Sequence, residues 1–383
     1  MRSRLLPALP ALVLAAAGCG AETGTSDPPP ASSAAASTVG PGWRTLPPGP
    51  LSGRIGSSVL GLDERHVLVV GGWEWLCPPT ADCFYPDSPR LADGAVVDLA
   101  TGEWREVADA PFGFSHAVGA VLDGDAFLLA SCRSGADCTG PAELLRYDPD
   151  ADTWDVLATV PRGRSGVSAL VPYDGRLLAV SGTDEQGESA DRLLDPVTGA
   201  GTDLPDDPLP EVFDRFVVAD GDRLLAFGST EGEGGGKLAA AYDGATGTWT
   251  RLPGAPSEGY QAWSVAGRVW LNGHFGDDGG AVLDPATGTW GPLPADRPSG
   301  AGDLAGVVGD GEAAYEYDHG WVVDAVRGRW VEVPDQTPAT YDETVAAVGS
   351  ALVVAGGQDW SERADGPAGR LVADVRVWRP KTG

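Results

Sequence analysis

The chain has 383 residues, with 55 Gly, 32 Pro, 13 Trp and 42% hydrophobic residues, and no long stretch carries a helical period. Such a mixture is rich in turns yet apolar enough to bury a core, which excludes a disordered chain or a helical bundle and points to an all-β fold. The formal net charge is −29, so the surface as a whole repels nucleic acid and anionic lipid headgroups.

Residues 1–18 read as a targeting segment. Arg2 and Arg4 give it a positive start, and the apolar run from Leu5 to Ala17 is broken by Pro7 and Pro10. It is short for a membrane span. The run ends in Ala16-Ala17-Gly18-Cys19, which resembles a bacterial lipobox. The resemblance implies cleavage before Cys19, a diacylglyceryl group on its sulfur, and anchoring to the outer face of the cell membrane. An ordinary secreted chain, with Cys19 inside the discarded peptide, is the other reading. Residues 19–42 are dominated by Ser, Ala, Pro, Thr and Gly and are expected to be a disordered tether.

From residue 43 onward one pattern recurs. Tyr242-Asp243 closes a strand, a turn of Gly and Thr follows, and Trp249 opens the next strand, which ends at Pro253. The spacing of six from Asp to Trp returns at Asp98/Trp104, Asp148/Trp154, Asp284/Trp290 and Asp324/Trp330; Asp195 keeps the frame with Gly201 in place of Trp. The Asp can accept turn N–H groups, Gly takes positive φ there, and the Trp lays a broad apolar face under the hairpin. The period of about 40 to 50 residues signals a repeat architecture, and four strands per unit form the blade of a propeller.

In chain order the predicted blades are as follows. Blade one has Ile55–Leu60, Val67–Val70, Ala95–Leu99 and Trp104–Val107; blade two has Ala117–Leu122, Ala126–Ala130, Leu144–Tyr147 and Trp154–Leu157. Blade three has Val167–Val171, Leu177–Val180, Arg192–Leu194 and Thr202–Leu204; blade four has Phe216–Ala219, Leu224–Phe227, Leu238–Tyr242 and Trp249–Leu252. Blade five has Ala262–Val265, Val269–Asn272, Ala281–Leu283 and Trp290–Leu293; blade six, the weakest pattern, has Leu304–Val308, Ala313–Tyr317, Trp321–Val323 and Trp330–Val333. Blade seven has Thr344–Val348, Leu352–Ala355 and Ala373–Trp378 but no fourth strand, while Trp43-Arg44-Thr45-Leu46-Pro47 is a fourth strand without a blade. The first strand is therefore expected to complete the last blade, closing seven four-stranded antiparallel blades into a ring with no exposed end.

Four cysteines fall in this region, as Cys77 and Cys83 and as Cys132 and Cys138, both pairs ending in Ala-Asp-Cys in corresponding loops. In an exported chain the pattern reads as two disulfides, each closing its own loop. The spacing also allows pairing between the loops, or one four-thiolate zinc site.

Gly71-Gly72 and Gly356-Gly357 after the second strand, with the Tyr-Asp…Trp hairpins at Tyr147 and Tyr242, make the repeats resemble kelch repeats over residues 43–383. The resemblance implies a site at one mouth of the central channel, built from loops entering the first strand and loops joining the second to the third. Mapped onto this chain, that mouth offers Arg54, His116, Arg164, Arg215, Tyr260 and Tyr341 from the first set, with Trp73, Trp75, His274 and Trp360 from the second.

Arg54, Arg164 and Arg215 read as matched positions that form a positive spot for a carboxylate or phosphate, or else as salt-bridge partners of nearby acidic loops. The tryptophans suit a sugar face or a peptide side chain, or pack over the blade tops. Galactose oxidase, a kelch-type copper enzyme, is a comparison this chain does not meet, because its four remaining cysteines read as paired and no Tyr-His copper set stands out. Neither cofactor nor metal is expected. A mutarotase-like enzyme would need only acid/base groups at the mouth, such as His116, His274, Glu74 or Glu231. The expected function is a monomeric surface lipoprotein that binds a protein or glycan without catalysis and touches the membrane only through its lipid. A small-molecule enzyme and a structural member of an envelope complex are the alternatives.

Overall fold

The computed structural model describes residues 42–78, 83, 89–131, 133, 141–161, 167–181, 190–210, 212–230, 237–273, 280–298, 304–316, 320–361 and 369–381. They form seven four-stranded sheets and one short hairpin, Gln358–Asp359 with Arg370–Leu371. Blades one to five run in chain order from the channel outward. Blade one comprises Ser58–Gly61, His66–Val70, Gly94–Asp98 and Trp104–Val107. Blade two comprises Val118–Leu122, Asp125–Ala130, Ala142–Asp148 and Thr153–Val160, and blade three Val167–Tyr173, Arg176–Ser181, Arg192–Leu194 and Gly201–Asp203. Blade four comprises Phe213–Asp220, Arg223–Ser229, Leu238–Asp243 and Thr248–Leu252, and blade five Ala262–Val265, Arg268–Leu271, Ala281–Asp284 and Thr289–Pro292.

Blade seven closes the ring. Thr344–Val348, Ala351–Ala355 and Val375–Arg379 are joined by Gly42–Thr45, with Trp43 opposite Trp378. The innermost strands contact one another around the whole circle, blade seven touching blade one.

The burial pattern explains why each strand takes its place. The second strands are continuous apolar runs, such as Ala351–Ala355, buried throughout. Each lies between two neighbouring blades with both faces covered, so alternation is lost. Seven apolar clusters result, each filled from two adjacent blades.

Blade six departs from the expected order. Ala313–Tyr315 is innermost, and Leu304–Val308 lies second, parallel to Gly320–Asp324, with Arg329–Val333 outermost. Leu304–Val308 is buried at every residue and Ala313–Tyr315 only half-buried. The more apolar segment takes the doubly covered position, and the lesser one lines the channel. Gly306 permits this, since a Cβ there would stand 2.5 Å from the Ala314 carbonyl oxygen. Chain order alone could not reveal the exchange.

The Asp…Trp hairpin behaves as its chemistry requires. Asp243 Oδ1 accepts the N–H groups of Ala245 and Thr246 at 2.8 and 3.1 Å, and Gly247 sits at φ 68°. The Trp does more than pad the hairpin. Trp104, Trp154, Trp249, Trp290 and Trp330 each donate Nε1–H to a carbonyl ending the preceding blade, of Pro47, Ala108, Pro205, Pro253 and Pro294 at 2.8 to 3.1 Å. Trp43 does the same to Pro334. The Trp-x-x-Leu-Pro phrase is thus a donor and an acceptor in series, linking blade to blade. Blade three carries Gly201 at the Trp position, so its joint with blade two lacks this bond.

Candidate functional site

The channel mouth is shaped by the loops that enter each innermost strand. Gly56, His116, Asp214 and Asp342 each occupy the left-handed region there, at φ 58°, 53°, 48° and 56°. The Gly-Gly pairs of the preceding blades pack beneath these loops. Gly72 N–H donates to the Phe114 carbonyl at 2.7 Å and Gly357 N–H to the Arg54 carbonyl at 2.9 Å. A Cβ on Gly71 would meet the Phe114 ring at 2.7 Å, and one on Gly356 the Arg54 carbonyl at 2.4 Å. The double glycine is therefore a contact between blades, which requires the missing side chain and the positive φ together.

This register corrects the reading of three arginines at one position. Arg54 stands two residues before its left-handed residue, and Arg215 one after. Neither is available as part of a positive spot. Arg54 is 2% exposed and uses all five N–H groups, on Asp93 Oδ1 and Oδ2 at 2.8 Å, on the Gly71 carbonyl, and on the Ser52 carbonyl and hydroxyl. Arg215 lies between two buried carboxylates, at 2.7 Å from Asp191 and 2.9 Å from Asp207. Arg164 and His274 fall outside the described residues, as do Cys19, Cys132 and Cys138. Cys77 and Cys83 are joined to each other.

Most of the remaining expected residues gather over blades seven, one and two. Trp73 is buried and stacks on half-buried Trp75, ring centroids 4.6 Å apart. The Arg90 guanidinium lies over the Trp73 ring at 3.5 Å and donates Nε–H to the Ser115 hydroxyl at 3.0 Å. Trp73 is thus a pillar that props Trp75, not a contact surface. Gln358, fully buried, spans the seam: its Nε2 donates to Asp342 at 2.5 Å and its Oε1 accepts the Cys77 N–H at 2.7 Å. Tyr341 is 48% exposed and Leu76 38%. Trp360 is half-buried on the short hairpin, against Gly369. His116 is reached by solvent yet crowded by protein, its imidazole against Gly56. That desolvation, helped by the Arg90 charge and opposed by Asp342, holds its pKa below the ordinary histidine value.

Tyr260 stands apart, over blades four and five, 39% exposed, with the Lys237 ammonium 5.2 Å from its ring centroid. Lys237 was not foreseen from the sequence. It is fully buried, 5.6 Å from the Phe216 ring, and donates to the Asp214 carbonyl at 3.2 Å. The one signal was an isolated cation opening the apolar strand Leu238–Asp243. Burial pulls its pKa down to about 8, against the attraction of Asp214 and Glu258.

The unfolded chain keeps that proton to higher pH, so stability rises between about pH 8 and the free-lysine value of 10.5. At pH 7 the buried ammonium is a burden. Lys237→Met is therefore expected to raise the urea midpoint at pH 7 and to flatten the rise seen in wild type toward pH 10. A lower midpoint at pH 7 would show that the ammonium is a net stabilising contact.

Among the described residues no group of three or more His, Cys, Asp or Glu side chains could hold a metal ion. The loops joining second to third strands are uneven. They span 71–93 in blade one and 356–374 in blade seven, against 182–191, 230–237 and 272–280 in blades three to five. The longest of these loops belong to blades one and seven, and Trp75, Leu76 and Trp360 belong to them.

No protein-family model matches the chain. It is similar to the Kelch-like protein terF of Aspergillus terreus, 32% identical over 126 residues, which are 30% of this chain and 27% of that protein. It is also similar to alpha-scruin of Limulus polyphemus, 26% identical over 129 residues, 34% of this chain and 13% of that one. The matched stretches thus span about a quarter or less of either relative. With the seven-bladed ring, they support a kelch-repeat β-propeller.

Proposed function

We propose that this kelch-repeat propeller is an exported lipoprotein, anchored through Cys19 to the outer face of the cell membrane, that binds a protein ligand at its mouth over blades seven, one and two without catalysis. The observation that carries the reading is the sector over blades seven, one and two. There Tyr341 and Leu76 are exposed and Trp75 and Trp360 half-exposed, among described residues tied together by the Cys77–Cys83 bond, the Gln358 bridge and the Trp73–Arg90 stack. Aromatic anchors on a pre-ordered support lose little entropy when a partner docks. The lipobox-like segment and the tether are the support for export and anchoring. The protein acts as a monomer, with no cofactor and no nucleic acid.

A photo-crosslinking residue placed at Tyr341 in the anchored protein on its own cells tests the reading. Val197, 69% exposed on a turn at the opposite face, is the control position. A discrete protein adduct is expected from position 341 and none from 197. Adducts from 197 alone would move the ligand to the other face. Glycan-array binding that disappears in Trp75→Ala, with no protein adduct at 341, would replace the protein ligand by a sugar.

A further inference from the structure

On the face opposite the mouth, where the two ends of the ring meet, two arginines stand together with no carboxylate partner among the described residues. Arg44 pairs with Val377 across the closing strands, and Arg379 pairs with Gly42. Residues 42 and 44 share a face of the sheet, so Arg44 and Arg379 are diagonal neighbours across the seam, about 7 Å apart and within reach for long side chains. One Arg44 Nη donates to the Leu99 carbonyl on the adjacent turn of blade one. The Arg379 guanidinium makes no hydrogen bond among the described residues. The Nε atoms of both are buried without an acceptor.

With 55 acidic against 26 basic residues, acidic partners are plentiful. Arg54, Arg65, Arg215, Arg327 and Arg370 each lie within 3.0 Å of one. Among the described residues neither Arg44 nor Arg379 has one. What acts on Arg379 is burial first and then the charge of Arg44, both lowering its pKa, with only the Tyr315 phenol opposing them. Two like charges in a half-buried place repel, and among the described residues no carboxylate compensates the repulsion.

We propose that Arg44 and Arg379 form an oxyanion site that takes a single phosphate group. A guanidinium offers paired N–H donors that match phosphate oxygens, and two of them converging can share one anion. The anion converts the repulsion into attraction on both sides. Because Arg44 belongs to the first strand and Arg379 to the last, the bound phosphate would clip the ends of the ring together. The site is independent of the reading of the mouth. Its phosphate is free in solution or belongs to a lipid headgroup of the membrane on which the protein is proposed to sit. In either case the pair must act locally against a strongly negative molecule.

The test is the thermal unfolding midpoint of the full chain in inorganic phosphate, with potassium chloride at equal ionic strength as reference. A second arm uses phosphatidylglycerol vesicles at fixed salt. The wild-type midpoint is expected to rise with phosphate and saturate, as linkage requires of a ligand that binds only the folded state. Arg379→Gln is expected to weaken the apparent affinity at least about tenfold, the loss of one charge-assisted pair. In phosphate-free buffer it should unfold no earlier than wild type, because it removes a repulsion. Arg44→Gln is the independent second variant. A response to vesicles alone identifies the headgroup as the source. The proposal is overturned if neither phosphate nor vesicles move the midpoint, or if wild type and both variants respond alike.

Discussion

Removal of residues 42–47 is expected to abolish the cooperative melt of the propeller, or to lower its midpoint by about 7 °C. The segment contributes four cross-strand pairs to blade seven, and Leu46 adds a bond to the Val375 carbonyl at 2.9 Å. Leu46 itself is 3% exposed in the cluster between blades seven and one, and Trp43 bonds to Pro334 of blade six. Burial of one leucine contributes about 2 kcal/mol, and the Trp face and hydrogen bonds raise the sum to roughly 5 kcal/mol, half the stability of an ordinary domain. The loss also leaves Val375–Arg379 as an open sheet edge, a template for pairing with other chains. Size-exclusion chromatography should then show oligomers. Addition in trans of a synthetic peptide spanning 42–47 should restore the monomer. A truncated chain that melts as a monomer at the wild-type midpoint would mean that the six remaining blades and a three-stranded seventh stand without closure.

Arg215→Met is expected to destabilise the fold by about 3–5 kcal/mol, the cost of leaving buried carboxylates without their counter-charge. Asp191 and Asp207 have side chains 4% and 6% exposed, and Arg215 5%. Asp191 also accepts the Ser181 N–H at 2.9 Å, so it cannot turn away to water without breaking the sheet end. Methionine keeps most of the arginine stem volume and isolates the charge. The double variant Arg215→Met with Asp207→Asn should recover part of the loss, and urea unfolding of the four proteins measures that coupling. If Arg215→Met unfolded like wild type, the ion triad would be dispensable and the arginine would again be open to a binding role.

The blades were legible because their signals are local. Asp243, Gly247 and Trp249 lie within one hairpin, and the orphan strand at Trp43 completes blade seven with the register the repeat implied. The order inside blade six was not legible, because it depends on which of two short segments tolerates burial on both faces, a comparison the chain order does not display. The mouth was legible only as a list of residues. Arg54, Arg215 and Trp73 are charged or aromatic in the right loops, yet each is consumed by partners distant in sequence, Asp93, Asp191 with Asp207, and Arg90. Asp342, Gln358 and Lys237 matter because of what lies beside them across a blade boundary, and no spacing encodes that.

Blade three lost its tryptophan at Gly201, so the carbonyl that ends blade two there receives no indole proton, while six other joints keep theirs. A circular wall yields where its mortar is thinnest. Thermal breathing of the annulus should therefore begin beside residues 199–201, more than two blades away from the stitched termini, and new chain ends cut there should cost less than at a joint that keeps its bond.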